Sequence, residues 1–231
     1  MWSMMNTMKP VVLSMGGSVL LSKTTTKEYL EKLADLLTRV SKKNPLYIII
    51  GGGRIAREYI HLGRTLGFHE HDLDELGIAV TRMNALFFLK TLRIQQSQIP
   101  GTISEAAKIK QPLIVMGGTT PGHSTDMVGA ELAAAVKAER FVIATNVDGV
   151  FDKDPNVFDD AVLLHEVSIN DLITQYGTKW DAAGKNTVID GPALQCIQQE
   201  KIPTFVVNGT QLDQMKQVLL GEQFRGTKIR L

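Results

Sequence analysis

The sequence predicts an α/β fold, a three-layer αβα sandwich around a mostly parallel central sheet. Three observations carry that expectation. Short apolar runs alternate with longer amphipathic stretches, as strands do with crossover helices. The short runs are apolar at nearly every position, which marks strands covered on both faces. Four of them end in glycine or amide turns, after Met15, Ile50, Met116 and Thr145. Parallel strands share one carboxyl edge, and ligands bind outside it.

Pro10 to Met15 is a short strand that runs into Gly16-Gly17-Ser18. Thr26 to Ser41 follows as a helix, with Leu30, Leu33, Leu37 and Val40 on one face and Lys27, Glu28, Glu31 and Lys32 mostly outward. Asn44-Pro45 stops it. Leu46 to Ile50 is a second buried strand, meeting Gly51-Gly52-Gly53 and then a helix from Arg54 to Leu66. Gly67 to Leu76, with His69, His71, Asp72 and Asp74, reads as polar and irregular. A long helix from Gly77 to Gln95 carries Ile78, Met83, Leu86, Phe87 and Leu89. Residues 98 to 112 give only a turn at Ile99-Pro100-Gly101 and a helical turn or two from Ser104 to Ile109.

Leu113 to Met116 is the central strand, and a helix opens near Asp126 and runs through Lys137. Its Gly129, Ala130, Ala133, Ala134 and Ala135 permit close packing on a sheet. Phe141 to Thr145 is a strand that enters the loop Asn146 to Pro155. Ser168 to Tyr176 reads as a helix, Asp181 to Asp190 as a glycine-containing stretch, and Gly191 to Gln199 as a helix. Pro203 to Val207 is a strand ending in Asn208-Gly209, Leu212 to Leu220 a helix, and Gly226 to Leu231 an added edge strand. No repeat or linker divides the chain, so residues 9–231 are expected to form one domain behind a frayed extension, residues 1–8.

Composition narrows the function. Lys and Arg number 25 against 24 Asp and Glu, so the basic excess of a nucleic-acid binder is missing. A local basic pocket for a phosphorylated metabolite is compatible with that balance. No run approaches the roughly 18 apolar residues that span a bilayer, and no membrane partner is expected. The single Cys196 excludes an internal disulfide framework and fits a reducing, cytoplasmic location. The opening MWSMMNTM lacks the charged and apolar regions of a signal peptide.

The stretch Leu113 to Glu131 concentrates the chemistry. A buried strand, a glycine turn and a helix N-terminus follow one another directly. Unpaired N–H groups and the positive end of the helix dipole then converge on one point, which suits a phosphate. The glycines let a ligand approach the backbone. An ordinary βα loop with hydroxyl caps has the same local pattern, but its repetition at four strand ends indicates a nucleotide or phosphate cleft. The G-x-x-x-x-G-K-[ST] loop is absent, and Gly51-Gly52-Gly53-Arg54-Ile55-Ala56 does not complete G-x-G-x-x-G. Zinc spacing and a nucleophile elbow are absent too. His123, in the central loop, either donates to a phosphate or is merely solvated.

Four motifs together carry a resemblance. They are Gly16-Gly17-Ser18-Val19-Leu20, Gly51-Gly52-Gly53-Arg54-Ile55-Ala56-Arg57, Gly117-Gly118-Thr119-Thr120-Pro121-Gly122-His123-Ser124-Thr125-Asp126 and Thr145-Asn146-Val147-Asp148-Gly149-Val150-Phe151. In this order and spacing the chain resembles the amino acid kinase superfamily, and within it the archaeal branch of uridylate kinases. Gly77 to Ala85 and Thr187 to Asp190 fit that branch, and the resemblance extends from Lys9 to Leu231.

The resemblance implies phosphorylation of UMP by ATP to give UDP, a step of pyrimidine nucleotide biosynthesis. Mg²⁺ would ride on the ATP phosphates, with no separate metal site on the protein. ATP would be held by Gly17, Ser18, Gly53, Arg57, Thr145, Asn146, Phe151 and Asp154. UMP would lie against Gly52, Asp74 and the loop Thr119, Thr120, Pro121, Gly122, His123, Ser124 and Thr125. Asp126 would organise the site, or simply cap its helix. A homo-oligomer is also implied, a hexamer built from dimers, with Met83, Phe87 and Phe88 facing either a partner or the core.

Physical reasoning agrees with this division. Arg57, one helical turn past the triple glycine, reaches a phosphate bound there, and Phe151 packs against a base. Asp74 either accepts from ribose hydroxyls or is a solvated loop acid. Asp154, before Pro155, is either a nucleotide ligand or a turn residue. Arg54 and Arg82 read as surface or interface charges.

One departure stands out. Much of the superfamily has K-x-G-G-S, whereas Ser14 occupies the lysine position here. The cation acting on the transferred group would then be Arg57, Lys153 or Lys185, and Arg57 is the catalytic candidate. Two other readings stay open: an isopentenyl phosphate kinase, although Ile50 stands where its glycine turn has His, and a non-catalytic nucleotide- or oxyanion-binding protein.

Overall fold

The computed structural model describes residues 8–178 and 188–231. The readings for residues 1–7 and for Asp181 to Thr187, Lys185 included, lie outside the described residues. Seven strands form one sheet among those described: β1 (Val11–Met15), β2 (Leu46–Ile50), β3 (Leu113–Met116), β4 (Arg140–Thr145), β5 (Glu166–Ser168), β6 (Thr204–Asn208) and β7 (Thr227–Arg230). Their order is β3-β2-β1-β4-β6-β7-β5. All pairs from β3 across to β6 are parallel, so five carboxyl ends share one edge. The chain moves outward from β1 through β2 to β3, then returns to the far side of β1 at β4. That reversal between β1 and β4 is where an open parallel sheet makes a ligand crevice.

The helices are α1 (Gly17–Leu20), α2 (Lys27–Ser41), α3 (Gly53–Thr65), α4 (Glu70–Leu92), α5 (Ile103–Lys108), α6 (Thr125–Ala135), α7 (Ile169–Tyr176), α8 (Gly191–Glu200) and α9 (Leu212–Leu220). Successive strand side chains point to opposite faces, which splits the apolar strands between two cores. Leu13, Ile48, Val115 and Val142 meet α2, the second half of α4, and α9. Val12, Ile49, Ile114 and Phe141 meet α6, α7 and α8. The expected three layers result. Small residues let α6 settle on the sheet: a methyl on Gly129 would stand 2.7 Å from the Phe141 ring. Phe141 is fully buried, and truncating such a ring costs about 3–5 kcal/mol.

Several boundaries differ from expectation, each for a local reason. α4 begins at Glu70, seven residues early, because His69 and Asp72 cap it reciprocally; the His69 N–H donates to Asp72 Oδ2 at 3.2 Å. Asp74 therefore sits on a helix and not in a loop. α4 ends at Leu92, where Arg93 turns left-handed at φ 53°. Within residues 98–112, Thr102 caps α5 by accepting from the Glu105 N–H at 3.1 Å. Gln96, just after α4, covers the exposed edge of β3, donating to Val115 O at 2.6 Å and accepting its N–H at 2.8 Å.

The C-terminal strand β7 is not at the edge; it lies inside, antiparallel to β6, and the short β5 takes the edge beside it. Phe88 is fully buried in the core and so is no interface residue, whereas Met83 and Phe87 are 52% and 46% exposed. Among the described residues no helix is long and apolar enough to cross a membrane.

Candidate active site

The turns after β1 and β2 are packed into each other. Gly16 N–H donates to Ala144 O at 3.0 Å and Gly51 N–H to Met15 O at 2.9 Å, which ties the first turn to both neighbouring strands. A methyl on Gly17 would stand 2.4 Å from Gly51 O and from Gly53 N. Gly53 has φ +66°, and its own methyl would stand 2.6 Å from the Gly17 carbonyl carbon. Contact between the two turns therefore demands glycine before any ligand does. α3 starts at Gly53 without a side-chain cap, so its first N–H groups have no intrahelical partner. Arg57, one turn on, donates from Nη2 to Ser18 Oγ at 2.8 Å. Gly17, Ser18, Gly53 and Arg57 are thus brought together, with Gly52 in the same turn.

The turn after β3 rests on α4. Thr81 Oγ1 accepts the Gly118 N–H at 2.8 Å, and Arg82 Nε donates to Gly118 O at 3.2 Å. Arg82 Nη2 also donates to Gly101 O at 3.0 Å, so this half-buried guanidinium is no surface charge, contrary to expectation. Arg54 does lie outside, paired with Glu58. A Cβ on Gly118 would face Thr81 Oγ1 at 3.1 Å and Ile78 Cγ1 at 3.3 Å, so at Gly118 the missing side chain makes room for α4. Further along, Asp74 Oδ2 accepts the Gly122 N–H at 2.6 Å, which pins the outer half of the loop Thr119 to Thr125.

The loop ends on a string of polar groups. Ser124 caps α6, its Oγ accepting the Met127 N–H at 2.9 Å while donating to Asp190 Oδ2. Asp190 caps α8 in turn, accepting the Ala193 N–H at 3.0 Å. Ser14 is buried at the end of β1 and donates to Asp126 Oδ1 at 2.6 Å. Asp126 keeps some exposure as a residue, but its carboxyl is enclosed, and the enclosure sets its acidity. Burial first, and then the nearby Asp190 charge, push it up to about 7 against the pull of the Ser14 hydroxyl. Asp190 is raised as well, by burial, with the Ser124 hydroxyl opposing. His123 donates its N–H to Thr120 O at 3.2 Å; its enclosed Nδ1 lies 3.6 Å from Glu131 Oε2 and has no hydrogen-bond partner among the described residues.

Beyond β4 the picture is mixed. Thr145 O accepts the Gly209 N–H at 2.8 Å, and Thr145 Oγ1 donates to Asn146 Oδ1 at 3.3 Å. Asp148 is held by Asn208 Nδ2 and Gln211 Nε2 at 3.0 Å and by Arg225 Nε at 2.9 Å. The Asn208 hydrogen bond leads in keeping its carboxyl below the usual range. Phe151 pairs with Leu163 across a hairpin. Asp154 Oδ1 accepts the Asn156 N–H at 2.9 Å, the geometry of a turn residue. Lys153 is paired with Asp160 at 2.6 Å and lies 5.5 Å from the Phe158 ring centre.

Residues 9–208 match the family model described as the amino acid kinase family. The chain belongs to the amino acid kinase family. The uridylate kinase of Methanobrevibacter smithii is 36% identical over 222 residues, covering 95% of this chain and 98% of that protein. That of Archaeoglobus fulgidus is 39% identical over 210 residues, covering 90% and 94%. The crystal structure of uridylate kinase from Archaeoglobus fulgidus superposes with a TM-score of 0.83 at 37% identity, over 95% of this chain and 99% of that one. The crystal structure of UMP kinase from Bacillus anthracis, 24% identical, shares the fold at a TM-score of 0.79 over 96% of each chain.

For an amino acid kinase with Ser14 in place of lysine, the residues missed by sequence reasoning are those that hold its turns. They are Thr81, Arg82, Asn84, Asp190 and Asn208. Thr81 and Asn84 carried a usable signal. They are polar residues three apart, at helical spacing among Val80, Ala85, Phe88 and Leu89, where burial requires a partner.

Proposed function

We propose that this chain transfers the γ-phosphoryl group of ATP to UMP, giving UDP and ADP. One observation carries the reading. The turns 16–18 and 51–57 interlock, and α4 holds the loop 117–125 at the same sheet edge, in a chain that uridylate kinases match over nearly its whole length. ATP is assigned to Gly17, Ser18, Gly53, Arg57, Thr145, Asn146, Phe151 and Asp154, whose Oδ1 also closes its own turn. UMP is assigned to Gly52, Asp74 and Thr119 to Thr125. Oδ2 of Asp74 already holds Gly122, so its other oxygen is the one left for a ribose hydroxyl.

In-line transfer between two phosphates needs position and charge neutralisation, with no covalent intermediate. Arg57 presents a guanidinium whose planar fork takes two phosphoryl oxygens. The start of α6 places N–H groups and dipole behind the acceptor phosphate. Asp126, bonded to Ser14, organises the floor between the two substrates. Magnesium would enter on the nucleotide, held by the ATP phosphates. When bound, it neutralises charge on the phosphates.

The exposed Met83, Leu86 and Phe87, close together on α4, suit an interface in a homo-oligomer, a hexamer by likeness to the family. The expected location is cytoplasmic. A coupled ADP-release assay with UMP, CMP and isopentenyl phosphate tests the reading. UMP should be much the best acceptor; preference for isopentenyl phosphate would contradict it.

A further inference from the structure

One turn of α4 touches both substrate turns. Asn84 is buried, and its side-chain NH₂ donates to Gly51 O at 2.9 Å and to Gly52 O at 3.1 Å. Three residues earlier, Thr81 Oγ1 accepts the Gly118 N–H at 2.8 Å and donates onward to Ile78 O at 2.7 Å. Between them, Arg82 Nε donates to Gly118 O at 3.2 Å. Gly118 is thus held by its N–H and its carbonyl at once, and the triple glycine by two successive carbonyls. The fit is also steric. A methyl on Gly117 would stand 2.9 Å from Arg82 N and from the Thr81 carbonyl carbon, so this turn lies directly on the helix backbone.

These contacts engage peptide groups and leave the open side of each turn to a ligand. None of the three side chains needs to touch a substrate. A helix is stiff over one turn, and its hydrogen bonds hold residues 81 and 84 in fixed relation. Two turns anchored three residues apart therefore keep a fixed separation, and so do the phosphates they bind. In phosphoryl transfer a displacement of about 1 Å between reacting groups can cost about 10²-fold in rate. We propose that Thr81, Arg82 and Asn84 are positioning residues that set the distance between donor and acceptor phosphates. The inference rests on the assignment of ATP to Gly53 and Arg57, and of the acceptor to Gly52 and residues 117–125. Arg82 carries most of the acceptor side, because it binds Gly101 as well and fastens the loop before α5 to the same helix.

The test is steady-state kinetics with calorimetric substrate binding on Arg82→Ala, Arg82→Lys, Asn84→Ala and the double variant Arg82→Ala/Asn84→Ala, each checked for folding by its melting curve. Removing the charged donor should lower kcat by about tenfold or more and raise the acceptor KM, with the ATP KM near that of the parent. Arg82→Lys should recover part of the loss, since an ammonium reaches one carbonyl but cannot bridge two. Asn84→Ala should lower kcat and shift the ATP KM as well, because the turn it holds carries Gly53 next to Gly52. The double variant should lose less than the product of the single losses, because one released turn already frees the separation.

Folded Arg82→Ala with the parent kcat and acceptor KM overturns the proposal, as do kcat losses that simply multiply. If Arg82→Ala does not fold, Arg82→Lys decides: parent kinetics overturn the proposal, and a raised acceptor KM with lowered kcat supports it. Failure of the UMP assignment shows separately, in the parent. If the parent prefers another phosphorylated acceptor, the ratios of variant to parent with that acceptor still decide the positioning role.

Discussion

On the side of the sheet edge proposed for the donor, Gly17 and Gly53 press backbone against backbone; on the side proposed for the acceptor, Gly118 and Gly122 are held by side chains of α4. A Cβ at Gly17 meets two atoms at 2.4 Å, while one at Gly122, φ +80°, meets nothing within 4 Å. The donor turns are thus fixed by steric interlock, which admits no added atom. The acceptor loop rests on the α4 backbone at Gly117, and beyond it is fixed by hydrogen bonds to Thr81, Arg82 and Asp74, which tolerate change at some loss of position. Tight packing of this kind gives rigidity, and hydrogen-bonded suspension leaves the outer loop, past Gly118, more room to adjust.

Gly17→Ala should show the largest effect. The two turns must part to admit the methyl, at a cost of about 3 kcal/mol or more, which a urea unfolding curve reads directly. A parent-like midpoint would break the comparison. Arg57→Ala comes next, with kcat lowered by about tenfold to a thousandfold and UMP affinity little changed. Arg57→Lys should return only part of that, since a point charge lacks the fork. Wild-type turnover in Arg57→Ala would move the catalytic cation elsewhere. On the acceptor side, Gly118→Val should destabilise by about 1–3 kcal/mol, because its side chain is driven into Ile78 and Thr81. Gly122→Ala should cost only about 1 kcal/mol, for its left-handed backbone alone. Equal losses at the two positions would show that the loop is packed and not suspended.

How much of this was legible follows from what each element depends on. β1 to β4 and their turns were readable because apolar runs ending in glycine are local signals. The start of α4 was not: a His–Asp reciprocal cap lies outside the usual Ser/Thr pattern, so Asp74 was read as loop. β5 and the place of β7 depend on pairing across the chain, which three or four residues do not announce. In the site, the glycine turns and Arg57 were visible, whereas Arg82 passed for a surface charge. Its partners, Gly101 and Gly118, are 19 and 36 residues away. Tertiary contact alone gives it its role.

The smallest effect is one of pH. Asp126 binds its proton more tightly folded than unfolded, since burial and Asp190 raise it to about 7. Its contribution to stability is therefore complete below the unfolded value, about 4, and is lost as pH rises through about 7. Asp126→Asn cannot ionise, so its Tm relative to the parent should rise by a few degrees between pH 5 and pH 8. A constant difference across that range would mean that Asp126 is already ionised at pH 5.

Hydrogen exchange with one substrate at a time tests the division of the edge most directly. UMP alone should protect amides in residues 117–125 and, within the triple glycine, Gly52 only, leaving residues 16–18 and 53–57 near their free rates. A non-hydrolysable ATP analogue alone should protect residues 16–18, 51–57 and 145–151 and leave the acceptor loop exchanging. Protection of residues 16–18 and 53–57 by UMP, or of residues 117–125 by the analogue, would contradict the account.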